Sequence, residues 1–579
     1  MRYIHYIALV VLALFLSDAL QAANLHQQQS QTAPAKVQEA AWAALKRPIN
    51  VSFANTNTRF PHDQVPQVPL QTEWNVIAWK GEKVHTQLLL WTTKDIQKLQ
   101  VKPSDLRGGK GSRLEAANIT AGFVRYVITD EFRDGCGKRN PSDFDSSLVA
   151  DLVDTASVTP VGQNTVQPIW VSVHVPRDTP AGIYKGAITV DAGKSFKMQV
   201  SVTVQERGLP APSQWAFDLD LWQHPAAIAR VHNVPLWSQE HYDYMRPYYT
   251  MLANAGQKNI TTSIIHEPWN HQTFDDFPSL IKWTKRKDNT WEYDYSLFDE
   301  YVSFVMSCGI RARINCYTMV PWKMAFPYHD ESTGQDTVFT AKTGTPEYNA
   351  FWGTMLRDFT AHLKEKGWFS ITSIAMDERP MADMQAVIKL LKEVDPEWKI
   401  ALAGIYHPEI EQDIFEYSIA SKWKFGEQVL QQRKASGKPS TFYTSCEEAY
   451  PNFFTFSPPA EQTWIGWYAA AQGFTGYLRW AYNSWVEHPA QDSRFRTWPA
   501  GDTYQVYPGP RTSIRFEKLI EGIQDFEKIR LLREEFTRQG NQAKLHELNK
   551  ILSVFEVPAL ERIPAAAMVG EAKAALNRL

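Results

Sequence analysis

The sequence predicts two folded units in series, an antiparallel β-sandwich and then a (β/α)8 TIM barrel that closes with a helical tail. Three observations carry this reading. Residues 41–205 run as short apolar stretches broken by turn residues, a Pro-rich stretch Gly208-Leu209-Pro210-Ala211-Pro212 follows, and beyond it short apolar runs alternate with helical periodicity. A chain of 579 residues is also too long for one ordinary core.

The strand pattern of the first unit is clearest at Ile169-Trp170-Val171-Ser172-Val173-His174-Val175. Residues 183–190 and 196–204 follow it, separated by Asp191-Ala192-Gly193. Short strands with turn signals between them read as a sandwich. After the linker the pattern becomes that of a parallel α/β fold. Phe351, Met355, Leu356, Phe359 and Leu363 recur at helical spacing, residues 371–376 are strand-like, and Met384, Val387, Ile388 and Leu391 mark another helix. Further strand candidates at 216–222, 259–265, 311–317, 400–405, 414–419, 441–444 and 477–481 bring the number to eight, which favours a closed barrel over an open sheet. Phe516, Leu519, Ile523, Phe526 and Ile529 form a last helical stripe ending near Gly540. The expected boundaries are residues 1–22 for an export signal, 23–207 for the sandwich, 208–540 for the barrel and 541–579 for the tail.

The export signal rests on Arg2, the apolar run of residues 7–16 and the small residues Ala22 and Ala23. That run is too short to span a bilayer comfortably, and no later stretch is apolar enough to do so. No cysteine follows it, so the expected destination is the periplasm or the exterior, without a lipid anchor. Sixty Lys and Arg nearly balance 63 Asp and Glu, which gives no support to a nucleic-acid or other polyanion partner. Cys136, Cys308, Cys316 and Cys446 show no metal-like or CxxC spacing, and no disulfide framework is expected. No histidine pair has HExxH-like spacing, and no Gly-rich phosphate loop or Ser nucleophile elbow is present. Neither a metal nor a cofactor is therefore expected. The 21 Trp and 23 Tyr lean towards a carbohydrate ligand, because flat aromatic faces stack on the C–H faces of sugars as well as filling cores.

Barrel proteins carry their reactive groups on the loops after the strands. The fourth strand candidate ends Ser373-Ile374-Ala375-Met376-Asp377-Glu378-Arg379-Pro380. An isolated acidic dipeptide is ordinarily a solvated loop with a local ion pair, but the position of this one at a strand end makes Asp377 and Glu378 the catalytic candidates. Neighbouring strand residues face opposite ways, so both enter one cleft only if regular geometry stops there. Pro380 fits such a stop.

The layout, this strand end, and the distal segments Tyr504-Gln505-Val506-Tyr507-Pro508-Gly509, Ser513-Ile514-Arg515-Phe516-Glu517 and Glu521-Gly522-Ile523-Gln524-Asp525-Phe526-Glu527 resemble glycoside hydrolase family 123. The resemblance spans nearly the whole chain beyond the signal. It implies an exo-acting β-N-acetylgalactosaminidase with a retaining, substrate-assisted mechanism, and maps the family's Asp-Glu pair onto Asp377 and Glu378. In that mechanism the sugar's acetamido oxygen attacks the anomeric carbon. Asp377 would orient the acetamido group, and Glu378 would protonate the leaving oxygen and later deprotonate water. The partner implied is a glycan or glycolipid substrate.

Other strand ends supply candidate walls. Tyr443 is placed to bond the acetamido carbonyl, and Trp480, Tyr482 and Trp485 to box its methyl group or the sugar ring. Trp222, His224, His266, Trp269, Tyr317, Tyr406 and His407 stand at further strand ends. Two rival readings remain at this stage. One is an ordinary retaining glycosidase with Glu378 as acid/base and Glu447 or Glu448 as nucleophile, and the other is a sugar-binding protein without catalysis.

Overall fold

The computed structural model describes residues 35–132, 135–137, 140–143 and 146–579; the export-signal expectation at residues 1–22 lies outside them. A short helix, Ala35–Ala43, precedes the first strand and buries Trp42 against Phe60, Leu89 and Trp91. The sequence reading did not anticipate it.

Two sheets then pack face to face. The first has the order Ile49–Ala54, Lys83–Thr92, Thr165–His174, Ile119–Thr129, Ser147–Asp154. The second runs Glu73–Lys80, Ser195–Gly208, Gly182–Asp191, Ile96–Pro103, Val158–Val161. Pairing is antiparallel except for Glu73–Lys80, which lies parallel to Ser195–Gly208. The alternation seen in the sequence is what fills the space between the sheets: Ile169, Val171 and Val173 from one meet Ile188, Val190, Val200 and Val202 from the other.

The second unit is a parallel sheet of eight strands: Asp218–Leu221, Asn259–Ser263, Arg313–Tyr317, Thr372–Met376, Lys399–Gly404, Glu416–Ala420, Ser440–Tyr443 and Gly476–Arg479. The first pairs with the eighth, and a bridge between Leu219 and Gln257 draws the first and second together, so the sheet curls into a barrel. Each predicted strand overlaps an observed one: the first four predictions contain theirs, and the last four are offset from theirs by one or two residues at either end. Helices Pro346–Glu365 and Met381–Val394 flank the fourth strand, as the Phe351 and Met384 stripes require. The helix Ile514–Arg538 ends near Gly540, whose φ of +65° suits glycine, and helices Gln542–Leu552 and Ala565–Leu576 form the tail. The sequence reading missed a small four-stranded sheet, Lys282–Lys285, Trp291–Asp294, Phe326–Asp330 and Gln335–Phe339, built from the loops after the second and third barrel strands.

The distal segments that carry the family resemblance lie where the two units meet. Asp151 of the sandwich accepts from Arg515 Nε at 2.9 Å and from the Tyr507 hydroxyl at 2.6 Å, and it also pairs with Arg59. All four side chains are buried. Arg515 further donates to the carbonyls of Phe453, Gly501 and Tyr504. Charges buried this completely are tolerated because each is paired with an opposite charge and hydrogen-bonded, so this motif fixes domain docking and not chemistry.

One expectation is corrected outright. Cys136 and Cys446 form a disulfide across 310 residues of sequence, while Cys308 and Cys316 are free and buried. Spacing gave no hint because the two halves belong to different domains and meet only after docking. Beside the bridge, Phe132 stacks on Phe454 and Thr129 bonds Thr455 at 2.7 Å, so the sandwich is anchored to the loop that follows the seventh barrel strand.

Candidate active site

Regular strand geometry ends at Met376, and the next two residues diverge in environment. Asp377 is buried, at 9% exposure, whereas Glu378 is exposed. Asp377 Oδ2 accepts the indole N–H of Trp322 at 2.6 Å, and Arg379 Nε stands 3.6 Å from Oδ1. The Arg379 guanidinium lies over the Trp322 ring, 4.1 Å from its centre, and donates to the Glu378 carbonyl at 2.9 Å. Burial pushes the Asp377 carboxyl above its ordinary range, the Arg379 charge and the Trp322 hydrogen bond pull it back, and the Glu378 charge raises it. Glu378 Oε1 accepts from the hydroxyl of Tyr443, which burial first and the Glu378 charge second hold protonated.

These groups open onto a cavity of about 240 Å³ whose lining includes Asp377, Glu378, Tyr443, His407, Ser445 and Glu447. Through Ala420 and Tyr443 this lining joins an aromatic cluster over small side chains. Trp222 stacks on Trp269 with centroids 5.0 Å apart, and Tyr317 lies 4.6 and 5.0 Å from them. Ala375, Ala401, Ala403 and Ala420, at the ends of the fourth, fifth and sixth strands, belong to the same cluster with Tyr443, and Trp480 packs against it. Alanines at these positions leave room that Leu or Ile would fill. The indole N–H groups of Trp222 and Trp269 are buried without a protein partner, which suits donation to a ligand. A larger cavity of about 510 Å³ lies in the sandwich beside Asn55 and Trp74. Its lining holds Glu73 as its lone carboxylate, so paired acid–base chemistry belongs to the barrel.

The structure brings together Asp377, Glu378, Trp222, Trp269, Tyr317, Tyr443, Trp480, His407 and Glu447 from the sequence candidates. Tyr443 meets Glu378 rather than standing free as an acetamido donor. Tyr482 and Trp485 are not at the cleft: both are fully buried in the main core, their polar groups spent on the carbonyls of Tyr248 and Val506 at 2.9 and 2.7 Å. The strand ends at Arg479, and beyond it Tyr482 and Trp485 pack into the main core. His224 is also buried, bonded to Ser484 Oγ at 3.0 Å and the Asp276 carbonyl at 3.1 Å, stacked on Phe277, and pushed down to about 4 by burial. It supports the cleft base as a neutral ring. His266 is exposed, and Tyr406 packs on Phe425 at 5.2 Å.

The two rival nucleophiles are already engaged. Glu447 pairs with Lys422 at 2.6 Å in an exposed bridge. Glu448 accepts from Ser421 Oγ at 3.0 Å and from the backbone and side chain of Ser445 at 2.8 and 2.9 Å, which pins its loop. Among the described residues Glu267, His271 and Asp276 approach one another closely enough to share an ion. Glu267 instead accepts the backbone N–H groups of His271 and Phe277, and His271 bonds Asp276 at 2.8 Å. Sequence reasoning missed Trp322, which stands five residues beyond its strand; the signal available was only its place on the reactive face of the barrel.

No curated protein matches the chain. The sequence profile described as "Glycoside hydrolase 123, catalytic domain" matches residues 222–532, more than half the chain, and "Glycoside hydrolase 123 N-terminal domain" matches residues 53–192. A family 123 glycoside hydrolase from Clostridium perfringens, described for glycolipid glycan hydrolysis, is 26% identical with a TM-score of 0.81, covering 92% of this chain and 100% of its own. A family 39 glycoside hydrolase from Bacteroides cellulosilyticus aligns at 10% identity over 78% of this chain and 82% of its own, with a TM-score of 0.32. The paired matches, end to end over sandwich and barrel, together with a carboxylate pair at the fourth strand end, place the chain in glycoside hydrolase family 123.

Proposed function

We propose that this glycosidase releases terminal β-linked N-acetylgalactosamine from a glycan or glycolipid by a retaining, substrate-assisted reaction. The observation that carries the reading is the division of labour between Asp377 and Glu378. Asp377 is buried, hydrogen-bonded and beside a guanidinium, suited to hold a charge against an acetamido N–H and the cation that develops on it. Glu378 is exposed in the cleft, suited to exchange protons with leaving group and water. In the first step the acetamido oxygen bonds to the anomeric carbon as the glycosidic bond breaks and Glu378 hands its proton to the departing oxygen. In the second, Glu378 takes a proton from the water that opens the oxazoline ring.

The ordinary two-carboxylate reading asks Glu447 or Glu448 to be a free nucleophile, and both are committed to the loop contacts above. Glycolipid glycans enter as substrates by analogy with the Clostridium enzyme. Paired aryl substrates test the proposal: the β-N-acetylgalactosaminide should be cleaved, while the β-galactoside lacking the acetamido group should not. Efficient cleavage of the galactoside would overturn it. A stable thiazoline mimic of the cyclised intermediate should bind far more tightly than the free sugar.

We also propose that the protein is exported. The tripartite start of the sequence supports this, as does a disulfide, since such bonds persist in oxidising compartments. Among the described residues no helix is long and apolar enough to cross a membrane. Mass spectrometry of the mature chain isolated from the producing cell should find an N-terminus near residue 23; recovery of the uncleaved chain from the cytoplasm would overturn export.

A further inference from the structure

Asp377 must do two things that burial opposes. It must stay ionised, and it must present one oxygen in a fixed direction. The strand ends at Met376, and the chain's local help to the carboxylate is a weak hydrogen bond from the Asp377 backbone. What meets the carboxylate is a pair of side chains from two different loops. Trp322, beyond the third strand, donates its indole N–H to Oδ2 at 2.6 Å. Arg379, beyond the fourth, stands 3.6 Å from Oδ1. The two are not independent: the guanidinium lies over the indole, 4.1 Å from the ring centre, and its Nε is anchored by the Glu378 carbonyl at 2.9 Å. Trp322 is 44% exposed, so it does not owe its position to burial in the core, while the Arg379 side chain is 13% exposed. The stack holds each in place.

We infer that Trp322 and Arg379 are positioning residues that clamp Asp377, Trp322 fixing the direction of the carboxylate and Arg379 preserving its charge. With Oδ2 occupied by the indole, Oδ1 is the oxygen left for the substrate's N–H. The inference rests on the substrate-assisted reading, since it gives Asp377 something to orient. The charged and titratable groups that face Asp377 are Arg379 and Glu378 from its own loop, Tyr317 from the third strand and Tyr443 from the seventh. Of these, Arg379 alone favours the ionised form.

The test compares Trp322→Phe, Arg379→Gln and Arg379→Lys in the full chain, each also combined with Asp377→Asn, on an aryl β-N-acetylgalactosaminide. Trp322→Phe keeps the ring and loses the donor. Arg379→Lys keeps the charge and loses the planar stack. Each should lower kcat about tenfold to a hundredfold, as expected when a hydrogen bond to a charged group is lost, with Arg379→Lys milder than Arg379→Gln. Because both partners favour the ionised carboxylate, their loss raises its pKa, and the acid limb of the kcat/KM profile should move to higher pH. In the Asp377→Asn background neither substitution should cost more than a further twofold. An unmoved acid limb, or full losses that persist in that background, would overturn the clamp while leaving the mechanism standing. If Asp377→Asn itself is harmless, the substrate-assisted reading falls, and the clamp with it.

Discussion

Tyr443, the last residue of the seventh barrel strand, donates its hydroxyl to Glu378, two residues past the end of the fourth. The contact ties one oxygen of the proposed acid/base across the barrel mouth and leaves the other to face the leaving group. Glu378→Gln should therefore be nearly inactive on a poor leaving group. With an acidic phenol the first step needs little proton donation, so cyclisation should recover while water attack stays slow. Burst kinetics distinguish the two steps, and equal loss on both substrates would remove Glu378 from the acid role. Tyr443→Phe should cost about tenfold in kcat, the worth of one hydrogen bond to a charged group.

Asp377→Asn keeps the shape and removes the charge. Its defect should be about 10²–10³ in rate whatever the leaving group, since a better phenol does not steady the cation on the acetamido group. Glu447→Gln is the control. It loses only an exposed bridge to Lys422, so turnover of activated substrates should fall by no more than a few fold. If Glu447→Gln abolishes turnover and Asp377→Asn does not, the nucleophile is Glu447 and the proposed mechanism is wrong.

The Cys136–Cys446 bridge fastens the sandwich three residues beyond Tyr443. Replacing both cysteines by serine should lower stability by about 2–4 kcal/mol, as loss of a native disulfide typically does. Because Ser445 and Glu447 line the cleft on either side of Cys446, the variant should also show a raised KM. Denaturant unfolding and steady-state kinetics measure the two effects. A destabilised variant with unchanged KM would mean that the contacts of Glu448 with Ser421 and Ser445 hold the loop without the bridge.

Glu461, on helix Pro459–Gln472, is buried and pushed up to about 8 by desolvation, with the Asn452 N–H pulling the other way. Its unfolded value is near 4.5. The folded state holds a proton that the unfolded state has lost between those values. The stability from this group is thus complete below about 4.5 and fades as pH rises through 8, by about 1.4 kcal/mol per pH unit in that window. Glu461→Gln keeps the hydrogen bond and cannot ionise. Its melting temperature relative to the parent should rise steadily from pH 5 to pH 8, and a constant difference would show that Glu461 is not the titrating group.

The sequence by itself determined the order of the units, the eight barrel strands and the carboxylate pair. Those are local facts: strand alternation, helical stripes and a break in strand geometry before Pro380 are each written within about ten residues, because side-chain periodicity follows the backbone. It also singled out Trp222, Trp269, Tyr317 and Tyr443, since the end of a parallel strand faces the cleft whatever the rest of the chain does. Tertiary structure alone decided what depends on separate segments meeting. Tyr482 and Trp485 follow Trp480 within five residues, yet the chain turns and buries them against Tyr248, which no pattern in residues 477–485 records. The bridge between Cys136 and Cys446, the docking of Asp151 on Arg515, and the stack of Arg379 on Trp322 that faces Asp377 join residues from 57 to 364 positions apart. Such contacts are selected by the packing of whole domains, and their energy exists only once both partners have been desolvated together.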